Sequence, residues 1–402
     1  MAEGVTRKTE VLVFDQVSPV GLKGFAAERY SVVAESSAPE VIVLRSRDLH
    51  AYDFGPGLLA VGRAGAGVNN IPVAKLSARG IPVFNAPGAN ANAVKELVLA
   101  GMLMAARNLG GALEFLRGLD PAAPDLDRRV ESGKKTYAGV ELPGHTLGVI
   151  GLGKIGSLVA DVAIRLGMRV LGYDPEITVD AAWGLPSQVR RAASIDEVLK
   201  ASHFVTVHVP LNDKTRHLIG AKNLSQMRPG AVLLNFSREA VVEDAAVIQA
   251  LQARRLKSYV TDFPSQATLG QPGVIALPHL GASTREAEEN CAVMVVEQLR
   301  GYLENGDVSN AVNFPDTQMA RESPYRLAIA NANVPDILAG ISHTLGARGI
   351  NIHNMINKSR GGTAYTLVDV DTPVVGAVLD ELRALNGVLG VRYLADAAAA
   401  AR

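Results

Sequence analysis

Gly151-Leu-Gly153-Lys-Ile-Gly156 stands between a short apolar run, Leu147-Gly-Val-Ile150, and a stretch with Ile155, Leu158, Val159, Val162 and Leu166 at helical spacing. A strand that feeds a glycine turn and leaves it as a helix is the first half of a βαβ unit, which commits the surrounding chain to a parallel sheet. The glycines allow a tight turn and a close approach of backbone to a pyrophosphate, whose charge sits at the positive end of the helix. The second strand ends in Tyr173-Asp174, 23 positions after Gly151. An acidic side chain there accepts hydrogen bonds from a ribose hydroxyl and repels a 2′-phosphate, which favours NAD over NADP.

The rest of the chain repeats the alternation. β-branched runs at 11–14, 41–44, 58–61 and 82–84, then at 146–150, 169–173, 204–209, 231–235, 258–261 and 274–277, are separated by helical patterns. Two doubly wound α/β units follow from this. Residues 119–144, rich in Pro, Gly and charge, are expected on the surface near a boundary. From Tyr325 the pattern changes to strand, helix, strand, strand, helix, strand. Gly361-Gly362 there forms a hairpin turn that makes the middle strands antiparallel. The Ala-rich tail 395–402 carries no packing pattern.

Several functions are excluded. Lys plus Arg and Asp plus Glu are both 40, so no global basic field exists for nucleic acid or an anionic membrane. No apolar run approaches the roughly 20 residues that span a bilayer. The first ten residues have no secretory apolar stretch, and a cytoplasmic protein is expected. One cysteine, Cys291, and eight histidines without HExxH spacing leave no metal-ligand cluster, so no metal is expected. Cys291 is read as a buried packing residue.

In a doubly wound sheet, ligands gather at the carboxyl ends of the strands. Three segments reach that end: His208-Val-Pro210, Asn235-Phe-Ser-Arg238 and Pro278-His-Leu-Gly-Ala-Ser-Thr284. Together with Gly62-Arg-Ala-Gly-Ala-Gly67 and the Gly151 turn, they make five ordered motifs over nearly the whole chain. The chain resembles the D-2-hydroxyacid dehydrogenase family, most of all its phosphoglycerate dehydrogenase branch.

The resemblance implies roles. Arg238 binds the substrate carboxylate with a planar two-pronged cation. His279 passes a proton to or from the substrate oxygen, and Gln266 stands nearest to the place of the family's glutamate partner. Glu239 and Asp262 are other carboxylates able to serve as that partner. Arg63, Ala64 and Gly65, with Arg238 and His279, form the expected substrate set. The NAD set is Gly151, Gly153, Lys154, Ile155, Gly156, Tyr173, Asp174, His208, Val209, Pro210, Ser237, Asp262 and Gly281. Arg63, Arg128, Arg129, Lys134 and Lys135 are the cationic candidates for a substrate phosphate.

The expected domains are a discontinuous substrate domain of 1–108 and 284–316, an NAD-binding Rossmann-like domain of 109–283, and a C-terminal domain of 322–396. The α+β order of the last, βαββαβ, resembles an ACT domain. Asn331, Asn333 and Asn351 stand where such domains bind an amino acid, and the implied effector is L-serine. Asp336 replaces the usual glycine of that motif. The activity implied is NAD-dependent oxidation of 3-phospho-D-glycerate, a small phosphorylated 2-hydroxy acid, by a homo-oligomer, dimer or tetramer. Reduction of another 2-oxo acid such as 2-oxoglutarate, and NADH sensing without turnover, are the alternatives.

Overall fold

A computed structural model describes residues 7–395. Residues 1–6 and 396–402, which hold the start of the expected substrate domain, the last residue of the expected C-terminal domain and most of the Ala-rich tail, lie outside the described residues. The chain divides into two compact units, one of 91–284 and one of the flanking segments up to 90 and from 285.

The first unit opens with five parallel strands: β1 (Thr9–Val13), β2 (Tyr30–Val33), β3 (Val41–Leu44), β4 (Ala60–Arg63) and β5 (Val83–Phe84). Their order is β2-β1-β3-β4-β5. All four residues of β3 are buried, as a central parallel strand covered on both faces requires. The helix Arg285–Asn305 lies on one face, burying Ala287, Cys291, Val295 and Leu299. A Cβ on Gly62 would come within 2.7 Å of Leu299, so glycine there lets helix and sheet approach.

The same unit carries a four-stranded antiparallel sheet of β13 (Tyr325–Ala332), β14 (Ile352–Arg360), β15 (Thr363–Val370) and β16 (Val388–Ala395), ordered β14-β15-β13-β16. With helices Ile337–Ala347 and Gly376–Ala384 between strands, the order read from the sequence is found. One sheet face shares a core with the long helix: Ala328, Ala330, Tyr365 and Leu367 pack with Tyr302 and Leu303. Arg326, fully buried, fixes this junction. It pairs with both oxygens of Asp369, at 2.6 and 2.9 Å, and donates to the carbonyls of Asn305, Met319 and Ala320. All its donors are used, the condition under which a buried guanidinium is tolerated.

The second unit is a seven-stranded parallel sheet of β6 (Thr146–Ile150), β7 (Arg169–Tyr173), β8 (Arg190–Arg191), β9 (Phe204–Val207), β10 (Ala231–Asn235), β11 (Leu256–Thr261) and β12 (Val274–Ala276). The order β12-β11-β10-β9-β6-β7-β8 reverses direction between β6 and β9, which is the switch point where a doubly wound sheet opens a crevice. Helix Ala91–Ala106 belongs to this unit, with Val94, Val98 and Met102 in its core beside Phe236 and Val260. Residues 107–141 contain no buried side chain, though they form helices Leu109–Arg117 and Leu126–Gly133. Among the described residues, no helix is long and apolar enough to cross a membrane.

Candidate active site

The glycine turn forms as the motif requires. Gly151 has φ +91°, and a Cβ there would meet the His208 carbonyl oxygen at 2.5 Å. A Cβ on Gly156 would lie 2.0 Å from the Gly151 oxygen, so only glycine lets the helix Lys154–Arg165 start this close to β6. Around Gly153 nothing lies within 4 Å of an added Cβ, leaving the backbone open at the helix N-terminus. Asp174, half-buried at the end of β7, accepts the Leu152 N–H at 2.9 Å and the Glu176 N–H at 3.0 Å. Each oxygen keeps a lone pair for a ribose hydroxyl. The bare helix N-terminus, the open Gly153 and the acidic strand end fit a dinucleotide.

His208 follows β9 across the switch point. Its Nε2 is 2.9 Å from the Thr206 hydroxyl, while its buried Nδ1 has no partner. Burial pushes its pKa down to about 3, so the imidazole is neutral. Val209 is half-buried, and Pro210, exposed, accepts the Thr215 hydroxyl through its carbonyl.

The turn after β10 is built around Asn235, which is fully buried. Its Oδ1 accepts the N–H of Ser237 at 3.1 Å and the Ser237 hydroxyl at 3.0 Å, and its Nδ2 donates to the Arg238 carbonyl at 2.9 Å. Arg238 emerges on the surface, with Nη1 donating to the Ser237 carbonyl at 2.6 Å. Partial desolvation lowers its pKa, but a guanidinium stays charged.

The turn after β12 hangs on Asp262. One carboxylate oxygen accepts the Leu280 N–H and the other the Gly281 N–H, both at 2.7 Å. Burial raises the Asp262 pKa, while these two bonds and His279 act in the opposite direction. His279 has φ +55°, a left-handed conformation uncommon for a side-chain-bearing residue, and it is exposed. Its ring packs on Phe263. Gln266 is exposed, and no hydrogen bond joins it to His279. Glu239 is exposed and opens a short 3₁₀ turn.

In the first unit, Arg63 donates through Nε to the Arg45 carbonyl at 3.0 Å, and its guanidinium lies over Gly65, where a Cβ would be 2.4 Å from Nη1. Ala64 is buried. The neighbouring loop is pinned by Asp15, whose Oδ2 accepts the N–H groups of Ser46 at 2.8 Å and Arg47 at 2.7 Å. Burial alone would raise the Asp15 pKa; these bonds and Arg47 turn the net shift downward. Arg128, Arg129, Lys134 and Lys135 lie on the unburied 107–141 stretch, where Arg129 pairs with Asp125 and Lys134 with Glu131. Among the described residues, no group of three or more His, Cys, Asp or Glu is placed to hold a metal.

Residues 109–281 match the family described as D-isomer specific 2-hydroxyacid dehydrogenase, NAD binding domain. The D-3-phosphoglycerate dehydrogenase of Escherichia coli is 33% identical over 350 residues, 84% of this chain and 82% of that one. This chain belongs to the D-isomer specific 2-hydroxyacid dehydrogenases. It is therefore an NAD-dependent dehydrogenase. The enzyme of the same name from Methanocaldococcus jannaschii is 37% identical over 72% of this chain, which spans only 55% of that relative. Among solved structures, the NAD⁺-bound 3-phosphoglycerate dehydrogenase of Entamoeba histolytica overlays with a TM-score of 0.59 at 23% identity, covering 76% of this chain and 99% of its own. A Thermus thermophilus protein overlays with a TM-score of 0.62 at 26% identity, covering 75% and 99%.

Sequence reasoning missed Asn235 as the support of the Arg238 turn. It lies inside the Asn235-Phe-Ser-Arg238 motif and reads only as its first residue. Asp15, which pins the loop beside Arg63, carries no sequence signal beyond a loop acid.

Proposed function

We propose that this dehydrogenase oxidises 3-phospho-D-glycerate to 3-phosphohydroxypyruvate, the first step toward L-serine. NAD, when bound, accepts the hydride from C2. Arg238 holds the substrate carboxylate and polarises the reacting oxygen, and His279 takes the hydroxyl proton. The observation that carries this reading is that the Arg238 and His279 turns are both anchored by buried polar side chains, Asn235 and Asp262, at the carboxyl end of the sheet that holds the glycine turn. The relatives named for this activity support the same substrate. Gln266 is left out of the pair because it is exposed and unbonded to His279.

The Gly62 to Gly67 loop, with Arg63, is assigned to substrate carboxylate and phosphate. The substrate domain is assigned to residues up to 108 and 284–316, although helix Ala91–Ala106 packs with the other unit, the cofactor domain to 109–283 and an ACT-like regulatory domain to 322–396. Its L-serine site rests on Asn333 and Asn351, which are exposed and spend one amide N–H each, on Gly361 and Asp371. Asn331 is fully buried with its amide bonded to Ala332 and Thr366, and takes no part. A homo-oligomer is supported by the unburied 107–141 stretch, where Leu109, Leu113 and Leu116 are exposed. Arg238→Ala tests the reading. It should raise KM for phosphoglycerate and lower kcat while NADH affinity holds.

A further inference from the structure

Tyr259 is 1% exposed in β11. The β10–β11 register sets Asn235 opposite Thr261 and Leu233 opposite Tyr259, so Asn235, Tyr259 and Thr261 share one sheet face. Asn235 Nδ2, besides holding the Arg238 carbonyl, donates to the Tyr259 hydroxyl at 3.3 Å. Thr261, on the same face, accepts the Phe263 N–H at 3.0 Å through its Oγ1. Phe263 is the ring on which His279 packs. One buried amide therefore ties the Tyr259 hydroxyl to the backbone of Arg238.

We propose that Tyr259 is a positioning residue: its buried hydroxyl fixes the Asn235 amide and through it the turn that aims Arg238. The proposal rests on the substrate-binding role given to Arg238. Burial pushes the Tyr259 pKa up to about 12, with Asp244 and Glu239 adding to the shift and Thr261 and the Asn235 amide opposing it, so the hydroxyl stays protonated at working pH. Without that oxygen, one Asn235 N–H is buried with no acceptor. The amide is then held only by Ser237 and Arg238, and the loosened contact lets the Arg238 turn drift.

The test is a double-mutant cycle of Tyr259→Phe with Arg238→Ala in the full-length enzyme. In the wild-type background Tyr259→Phe should lower kcat/KM by about tenfold or more, through both kcat and KM, since small misplacements of substrate-aiming groups cost up to about a hundredfold. NADH affinity should not change. In the Arg238→Ala background the same substitution should cost almost nothing. An equal loss in both backgrounds, or no loss in the wild type, overturns the proposal. Asn235→Asp, which keeps the acceptor and loses both donors, should repeat the pattern, and it serves if Tyr259→Phe fails to fold. Oxalate affinity of the enzyme–NADH complex gives a second readout of the cycle that needs no turnover. Absence of phosphoglycerate oxidation would thus count against the proposed function alone, and additive oxalate effects against Tyr259 alone.

Discussion

Phe263 and His279 pack with ring centroids 4.8 Å apart and planes inclined by 58°. An aromatic face, rather than a carboxylate, supports the imidazole. Its orientation comes instead from the left-handed turn at His279, which Asp262 holds through the next two N–H groups. His279→Ala should lower kcat by about 10²–10⁴-fold, the usual worth of a general acid–base group, with NADH affinity retained. Gln266→Ala, an exposed change, should alter kcat/KM by less than about threefold. Steady-state rates with NADH fluorescence titration separate the two, and a large loss at Gln266 would restore it to the catalytic pair.

Asp174 does two jobs, since it holds the glycine turn through Leu152 and presents a negative charge at the ribose end. Asp174→Ala should weaken NAD binding and shift preference toward NADP. The NAD to NADP ratio of kcat/KM should fall by about tenfold, as expected for removing one charge-assisted contact of about 1.5 kcal/mol. An unchanged ratio would refute the role.

His208, half-buried with its Nδ1 enclosed and its imidazole neutral, makes stability depend on pH in a defined direction. Its pKa is about 3 in the folded chain against an ordinary 6.5, so below pH 6.5 the unfolded chain takes up a proton that the folded chain refuses. Stability is unaffected above pH 6.5 and falls as pH drops from 6.5 toward 3, by at most about 1.4 kcal/mol per pH unit. His208→Asn should flatten that slope in urea unfolding measured from pH 7 to pH 5. An identical slope in the variant would show that His208 is protonated in the folded state.

The fold was legible because its signals are local. The period of apolar residues, the glycine turn and the Gly361-Gly362 hairpin each act within a dozen residues, and all formed as read. The two-residue strand β8 and the exposed-edge strand β2 escaped notice, since neither carries a sustained apolar run. Residues 119–144, expected on the surface, do lie unburied up to Glu141, but their Pro, Gly and charge hid the helix Leu126–Gly133. Arg238 and His279 were legible as motif residues. Their supports were not, because Asn235 and Tyr259 meet only when β10 and β11 pair across 24 positions of sequence.

Arg326 and Asp369 show the cost of breaking a buried pair. Asp369→Asn would leave the guanidinium buried beside a neutral amide, which should destabilise the first unit by about 3–5 kcal/mol. Replacing both with apolar residues, Arg326→Met with Asp369→Leu, should recover much of that loss. Thermal unfolding of the three proteins checks this, and a single variant as stable as the wild type would contradict it.

The most direct test of the central claim is an initial-rate assay with NAD and 3-phospho-D-glycerate, set beside D-lactate and other unphosphorylated 2-hydroxy acids. The account predicts steady NADH formation with phosphoglycerate, at a kcat/KM at least about a hundredfold above the unphosphorylated acids, as one well-placed cation on a phosphate provides. Tight NADH binding with no phosphoglycerate oxidation, or equal rates on all the acids, would contradict it.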